Sequence, residues 1–263
     1  MLKHYKFFRN FLFKFEAERA HYLAMFFLKL ISPFIFKKKY TTVKVAGLNF
    51  PNRVGLAAGF DKNARWIKPL SKLGFGHIEI GTVTPIAQPG NEKPRLFRLV
   101  EDESIINRMG FNNDGSHKIL KRLKKLKRSG IIIGGNIGKN KWTEPFLKIA
   151  PDLSHWQIDD ILEVVEQTKI AGIVVSNTTV SRDGLISQSL EVGGLSGKPL
   201  KAKSLDIVKY IRQKNSKIAI IGVGGIFTSQ DAKDYLDAGA DLIQIWTGFI
   251  YQGPKLITDI NSL

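Results

Sequence analysis

The sequence predicts an α/β fold of the eight-unit β/α-barrel (TIM) type, short of one strand unit and preceded by a helical segment. Three observations lead there. After Tyr40, short apolar runs rich in β-branched residues alternate with amphipathic stretches, and strands separated by helices form a parallel sheet. The unit from Ile220 to Gly248 joins two such runs, Ile218-Ala219-Ile220-Ile221 and Leu242-Ile243-Gln244-Ile245, through a glycine turn and a helix. Polar residues gather just past the strands, at the end where a barrel carries its site.

Residues 1–40 stand apart in composition. Phe7, Phe8, Phe11, Leu12, Phe13 and Phe15 precede a polar turn, Glu16-Ala17-Glu18-Arg19, and an apolar stretch from His21 to Ile31 that ends at Ser32-Pro33, before Lys37-Lys38-Lys39. Two short helices are expected. A membrane-crossing helix needs about 20 apolar residues, and Lys29 and Pro33 cut this run short, so the segment is expected to lie on a membrane rather than cross it. Aromatic bulk flanked by lysines is the composition of an interfacial helix drawn to anionic lipid. An ordinary helix pair packed on the barrel explains the same residues. A cleaved signal peptide fits poorly, because Glu16, Glu18 and Arg19 interrupt any apolar core.

Residues 41–263 form the barrel. Val54 to Ala58 is its first strand, with Trp66, Ile67, Leu70 and Leu73 on the helix behind. Ile78 to Val83 is the second, followed by a long loop through Gly90, Pro94 and Phe111. A basic helix leads to the third, Ile131 to Ile137. Phe146 to Ala150 is the fourth; Ser154 and Gln157 then stand at capping-box spacing before a helix with Ile161, Leu162, Val164 and Val165. Ile173 to Asn177 is the fifth, ahead of a glycine-rich loop and a helix with Leu205, Val208 and Ile211. The unit described first supplies the sixth and seventh. At about 30 residues per unit, the remaining length holds about seven units, one fewer than a closed barrel. The connection around 138–146 joins two strands almost directly, whereas parallel neighbours need a crossover of about a dozen residues or more. A unit is missing there.

With 43% hydrophobic residues, the 263-residue chain has material for a sizeable core. It contains no cysteine, which excludes disulfides, thiolate metal sites and a cysteine nucleophile. Its histidines, His4, His21, His77, His117 and His155, show no metal-binding spacing, and no metal is expected. The formal net charge of +17 suits nucleic acid, anionic lipid or an anionic ligand. Its densest cluster, Lys121 to Arg128, runs among Ile119, Leu120, Leu123 and Leu126 at helical spacing and lacks interleaved aromatics. It reads as the outer face of a barrel helix, so no nucleic-acid partner is expected.

Gly222, Gly224 and Gly225 carry no Cβ, and Thr228 stands three residues before Asp231, the spacing of a capped helix start. Backbone N–H groups gathered there suit a phosphate. A tight turn is the plainer reading of the same glycines. Lys148 is the residue least expected from structure alone, because a lysine inside an apolar strand is costly to bury unless it meets an anion. Gly59, Asp61, Lys62, Thr82, Thr84, Asn136, Lys139 and Asn177-Thr178-Thr179 also follow strands. Asn107 and Asn177 carry less weight, since asparagines often do no more than fix turns.

The motifs G-L-A-A-G-F-D-K (Gly55 to Lys62), I-E-I-G-T-V-T-P (Ile78 to Pro85), Q-P-G-N-E-K-P-R-L-F-R-L (Gln88 to Leu99), I-N-R-M-G-F-N-N (Ile106 to Asn113), N-I-G-K-N-K (Asn136 to Lys141), K-I-A-P-D-L (Lys148 to Leu153), S-N-T-T (Ser176 to Thr179), G-G-L-S-G-K-P (Gly193 to Pro199) and I-G-V-G-G-I (Ile221 to Ile226) follow one another along the chain. In this order they resemble class 2, quinone-dependent dihydroorotate dehydrogenase. The resemblance covers nearly the whole chain, including F-K-F-E-A-E-R-A-H in the N-terminal segment. It implies an FMN enzyme that oxidises dihydroorotate to orotate in pyrimidine (UMP) biosynthesis and passes electrons to a membrane quinone. It also implies a peripheral protein on the cytoplasmic face of the inner membrane, with the helix pair as the quinone entrance. Carried over residue by residue, Ala58, Gly59, Lys62, Thr82, Asn136, Lys148, Ser176, Gly197, Gly225, Trp246 and Thr247 would hold FMN. Lys62, Asn107, Arg108, Met109, Gly110, Phe111, Asn177 and Thr178 would bind the substrate.

This chain departs from the family at one place. Between N-I-G-K-N-K and K-I-A-P-D-L the family carries a further strand with the motif N-x-S-S-P-N, whose serine removes the substrate's C5 proton. Here Trp142 to Leu147 stand in its place, as though a segment between Lys141 and Pro145 were deleted. The base and two substrate-binding asparagines go with it. Ser196 matches the flavin loop and cannot take over, so no catalytic base is assigned. Two outcomes stay open: a working dehydrogenase, or a catalytically impaired remnant that at most binds flavin.

Overall fold

The structure is a computed structural model that describes residues 5–35, 40–126, 129–138, 146–168 and 170–263. Lys37-Lys38-Lys39, Lys139 and Trp142 to Pro145 lie outside the described residues. In chain order the main elements are α1 Tyr5–Leu12, α2 Ala17–Ile31, β1 Val43–Val45, β2 Leu48–Phe50, β3 Val54–Asp61, α3 Ile67–Ser71, β4 His77–Val83, β5 Leu96–Leu99, β6 Ser104–Asn107 and α4 Ser116–Lys124. There follow β7 Ile132–Ile137, β8 Phe146–Ile149, α5 His155–Thr168, β9 Gly172–Val175, β10 Gly194–Gly197, α6 Lys201–Lys214, β11 Ala219–Val223, α7 Ser229–Asp237, β12 Leu242–Ile245, α8 Thr247–Gln252 and α9 Pro254–Ile260.

The seven expected strands form one sheet in the order β7-β4-β3-β12-β11-β9-β8, every neighbouring pair parallel. In chain order this is the cyclic succession of a β/α barrel cut open between its third and fourth strands. The cut falls at the short connection singled out in the sequence. Among the described residues, β7 pairs only with β4 and β8 only with β9. The base of the sheet is covered by the β1–β2 hairpin, whose Val45 and Phe50 pack with Val174, Ala219, Ile221 and Leu242.

The helices bury the stripes that their apolar spacing requires. On α5, Ile158, Leu162 and Val165 are buried while Val164 faces solvent; on α6, Ile207, Val208 and Ile211 are buried. Several expectations are corrected. The helix expected around Trp66 to Leu73 covers only Ile67–Ser71. Leu120, placed on the apolar side of the basic helix, is exposed, and Ile119 alone on α4 is fully buried. At Ser154 only half of a capping box forms, with Gln157 Oε1 accepting from Ser154 N at 3.0 Å.

Two stretches expected as loops contain strands. β5, β6 and β10 make a small antiparallel sheet over the barrel mouth. The polar turn expected at Glu16 to Arg19 is instead the start of α2. Glu16 caps it, its carboxylate accepting from Glu18 N and Arg19 N at 2.9 Å each, and Glu18 is buried against the barrel.

Candidate functional site

The C-terminal ends of the strands, the small sheet and the helix pair enclose one continuous cavity of about 1520 Å³. Every residue that the resemblance assigns to the site lines it: Ala58, Gly59, Lys62, Thr82, Asn107, Arg108, Met109, Gly110, Phe111, Asn136, Lys148, Ser176, Asn177, Thr178, Gly197, Gly225, Trp246 and Thr247; Thr84, Thr179, Gly222 and Thr228, singled out from their place after strands, do not. Tyr5, Phe8, Leu12, Met25 and Leu28 of the helix pair line the same space, so it runs from the strand tips to the N-terminal segment.

Its floor is polar and directional. Thr82 Oγ1 donates to Asn136 Oδ1 at 2.7 Å, and Asn136 Nδ2 donates to Glu79 Oε1 at 3.1 Å. Gln244 Nε2 donates to the other oxygen of Glu79 at 2.8 Å and lies 3.4 Å from His77 Nε2. Burial pushes the His77 imidazole down to about 4, against the opposing pull of Glu79, so the ring is neutral at pH 7.

Lys62 follows β3 and lines the cavity. Burial, reinforced by the Arg95 charge and opposed by Glu18, pushes its ammonium down to about 8. His21 on α2 packs edge-on against Phe60 at 4.8 Å and is pushed down to about 4, first by burial. Glu18 and Arg95 form a two-pronged pair at 3.0 and 2.8 Å, with both side chains 6% exposed. Burial alone would raise the Glu18 carboxyl, but the hydrogen bonds and charge of Arg95, with Lys93, hold it below the usual range. Arg95 also donates to the carbonyls of Pro89 and Asn91, so α2 is clamped to the loop that carries the mouth sheet. Nothing in the spacing of Glu18 and Arg95, 77 residues apart, marks them as partners.

Lys148 faces the cavity from β8 but is half-buried, not enclosed as expected, because β8 is an edge strand. The expected anion site is partly relocated. Thr228 and Asp231 form the capping box, but Asp231 Oδ2 already takes the N–H groups of Phe227 and Thr228, and Lys201 holds its other oxygen. The N–H groups of Phe227, Thr228 and Asp231 at the start of α7 are therefore taken up within the cap itself. The cavity is lined instead by Gly197, Gly224-Gly225-Ile226 and Trp246-Thr247-Gly248, where α8 begins. Gly225 has φ +63°, and a Cβ there would come within 2.7 Å of Lys201 N. Trp246 Nε1 is buried near Gly59 with no partner among the described residues, an orphan donor that a native interior rarely leaves without a purpose.

Asn177 spends its Oδ1 on Thr178 N at 2.9 Å, and Asn107 Nδ2 lies 3.5 Å from Gly194 O. Arg108 turns its guanidinium away to Glu191, Val192 O and Pro94 O and stacks over Phe97, so its side chain ties the mouth sheet to the 180–193 loop. The turn beyond it is tight: Gly110 and Phe111 have φ +68° and +52°. Ser176 Oγ meets Ser204 Oγ at 2.6 Å, and Ser196 Oγ is held between Ile105 O and Thr247 Oγ1. Among the described residues no cluster of His, Asp and Glu could hold a metal ion.

A family model described as Dihydroorotate dehydrogenase matches the chain in two pieces, residues 40–145 and 143–262, which meet at 143–145. "Dihydroorotate dehydrogenase (quinone)" of Christiangramia forsetii is 44% identical to this chain over 326 aligned positions, covering 95% of each. Since this chain has 263 residues, at least 63 of those positions have no residue in it. The protein of the same name from Bartonella tribocorum is 42% identical, covering 96% of this chain and 89% of the relative. Among solved structures, ligand-free DHODH from Eimeria tenella superposes with a TM-score of 0.82 at 32% identity, over 91% of this chain and 92% of that one. The ferulenol complex from the same organism gives 0.83 at 31% identity, over 94% and 90%.

Proposed function

The chain belongs to the dihydroorotate dehydrogenase family, and from that membership we propose that it oxidises dihydroorotate to orotate in pyrimidine biosynthesis, with FMN as cofactor and a membrane quinone as electron acceptor. The residues present suit FMN. The orphan Trp246 N–H, the backbone of Gly224-Gly225 lining the cavity and the Lys148 side chain offer the donors and charge that a flavin ring and a phosphate take. When bound, FMN would supply the acceptor for the substrate's hydride.

In this reading Ala58, Gly59, Thr82, Asn136, Lys148 and Ser176 surround the ring, while Gly197, Gly225, Trp246 and Thr247 receive the phosphate. Lys62 carries the charge for the substrate carboxylate. Asn107, Asn177, Thr178 and the Arg108 to Phe111 backbone offer the amide and hydroxyl groups that a dihydropyrimidine requires. Residues 41–263 form the flavin-binding part and residues 1–40 the membrane-facing part. The helix pair turns Phe7, Phe26, Leu30 and Phe34 to solvent, while its inner face lines the cavity. No helix among the described residues is long and apolar enough to cross a membrane. The exposed apolar side chains of the helix pair support peripheral attachment; the cytoplasmic face of the inner membrane and quinone entry between the helices are proposed from the family membership.

The observation that carries the reading is the convergence of Lys62, Thr82, Asn136, Lys148 and the glycine turns on one cavity that continues to the helix pair. A second reading, a remnant that binds flavin without turnover, is favoured by the open seam between β7 and β8 and the break in the family match at 143–145. The test is to purify the chain, record its visible absorption and assay dihydroorotate-dependent reduction of a quinone analogue. A yellow protein turning over about 10²–10⁴-fold more slowly than the Christiangramia relative is expected, the usual loss when a general base is absent. A yellow protein that never makes orotate establishes the remnant, and a colourless one overturns both.

A further inference from the structure

The floor of the cavity contains a buried carboxylate that touches nothing in the cavity itself. Glu79 is 9% exposed and lies behind Asn136 and Gln244, both of which line the cavity while Glu79 does not. Its two oxygens each receive one amide N–H, from Asn136 at 3.1 Å and Gln244 at 2.8 Å. No lysine, arginine or protonated histidine is paired with it among the described residues. A carboxylate accepts and cannot donate, so it dictates which way both amides face. With Asn136 flipped, its oxygen would confront a Glu79 oxygen at hydrogen-bond distance. The Asn136 oxygen must therefore point to Thr82, whose hydroxyl donates its only proton there.

The consequence appears at the cavity surface. Thr82, its proton spent, can only accept from a ligand, and Asn136 retains one N–H with which it can only donate. Gln244 is fixed in the same manner from the other side. Donating to Glu79 and facing His77 Nε2 at 3.4 Å, it meets a neutral imidazole whose Nε2 accepts. The floor thus presents an acceptor beside a donor, complementary to a heterocycle edge that carries N–H next to C=O, as the pyrimidine ring of a flavin does.

We propose that Glu79 is a positioning residue that fixes this acceptor–donor edge, and so sets how tightly and in what electronic state the flavin ring is held. The inference rests on the FMN reading above. Glu79→Gln keeps the shape and loses the constraint. Its amide can donate to Asn136, which lets Asn136 flip and frees the Thr82 hydroxyl to donate toward the cavity, inverting the edge.

The experiment is FMN titration of the full chain as wild type, Glu79→Gln, Thr82→Val and the double variant, read by affinity, by the position of the visible flavin bands and by thermal midpoint without FMN. Expected are about tenfold weaker FMN binding and shifted bands for Glu79→Gln, with the midpoint nearly unchanged, roughly the loss of one well-made hydrogen bond. Thr82→Val should cost about tenfold in the wild-type background and little in Glu79→Gln, the non-additivity of a coupled pair. If Glu79→Gln does not fold, Glu79→Asp, which keeps the charge but falls short of Asn136, should give the same loss and band shift. Equal affinity and unshifted bands, or additive effects of the two substitutions, overturn the role of Glu79 while leaving the FMN reading intact. A wild-type chain that takes no FMN overturns both.

Discussion

β4 and β7 are neighbours in one sheet, each an apolar run broken by glycine, yet β4 is buried along nearly all its length while no residue of β7 is fully buried. β4 has a partner strand on either side, and β7 has one on one side among the described residues. The same contrast separates β9, buried throughout, from β8, where Lys148 is half-buried. The molecule therefore has a closed side, built on β4, β3, β12, β11 and β9 with the helix pair clamped across the mouth, and an open side at the β7–β8 seam. Local sequence decides that a segment extends as a strand, but its burial is settled by the next strand, and among the described residues β7 and β8 each have a partner on one side only.

The contrast is broken most forcefully by filling the seam. Grafting the relative's segment between Lys141 and Pro145 should raise dihydroorotate-dependent quinone reduction by about 10²–10⁴-fold, the range for restoring a general base. An unchanged rate would mean that the closed side alone limits turnover. Next in size is the clamp on the closed side. Glu18→Ala leaves Arg95 charged and buried without its partner, which should cost about 3–5 kcal/mol in a denaturant unfolding curve. A loss under about 1 kcal/mol would mark the pair as solvated and the helix pair as loosely attached.

Lys148 tests the open side. Lys148→Ala should weaken FMN binding by about 10- to 100-fold, the range for losing a charged hydrogen bond or ion pair, as measured by flavin retained on gel filtration. Lys62 gives a pH signature to the closed side. Its folded-state value of about 8 lies below the ordinary 10.5, so the unfolded chain binds the extra proton between these values. Stability should rise with pH across that window, the burial of the charged form being felt in full below about 8. Binding runs the other way: KM for dihydroorotate should be flat below about pH 8 and rise above it as the cation is lost, and Lys62→Met should abolish that rise. The smallest effect is expected at the α7 cap. Thr228→Ala should cost about 1 kcal/mol by thermal melting with FMN affinity unchanged, since the capping groups face Asp231 and not the cavity.

The seven strands and their parallel pairing were legible because each depends on local apolar runs separated by helices; the connection around 138–146, read as a missing unit, lies mostly outside the described residues. Gly59, Lys62, Thr82, Asn136 and Asn177-Thr178 were legible because they stand at or just past strand ends, whereas Arg108 to Phe111, Ser176, Gly197, Trp246 and Thr247 came only from the family resemblance. The mouth sheet of β5, β6 and β10 was not legible. Its strands are four residues each and pair across Asn107 and Gly194, contacts that no local pattern announces. Glu18 read as a turn residue because charge normally marks a surface, and only Arg95, far along the chain, makes its burial tolerable. Glu79 and Gln244 sat unremarked inside apolar strands for a similar reason: the Glu79 oxygens are met by amide N–H groups of Asn136 and Gln244, which come from different strands. The glycine turn was read as a place where an anion meets the start of α7; the structure packs Gly224 and Gly225 against Ser204 and Lys201, Asp231 occupies the α7 cap, and the start of α8 lines the cavity.

The central claim is that the strand tips still converge on a flavin although the sheet beside them is open. It is tested most directly by the visible absorption spectrum of the purified full-length chain, followed by heat release and quantitation of the pigment. The expected result is an oxidised-flavin spectrum with close to one FMN per chain. A colourless protein that stays colourless after incubation with FMN would contradict it.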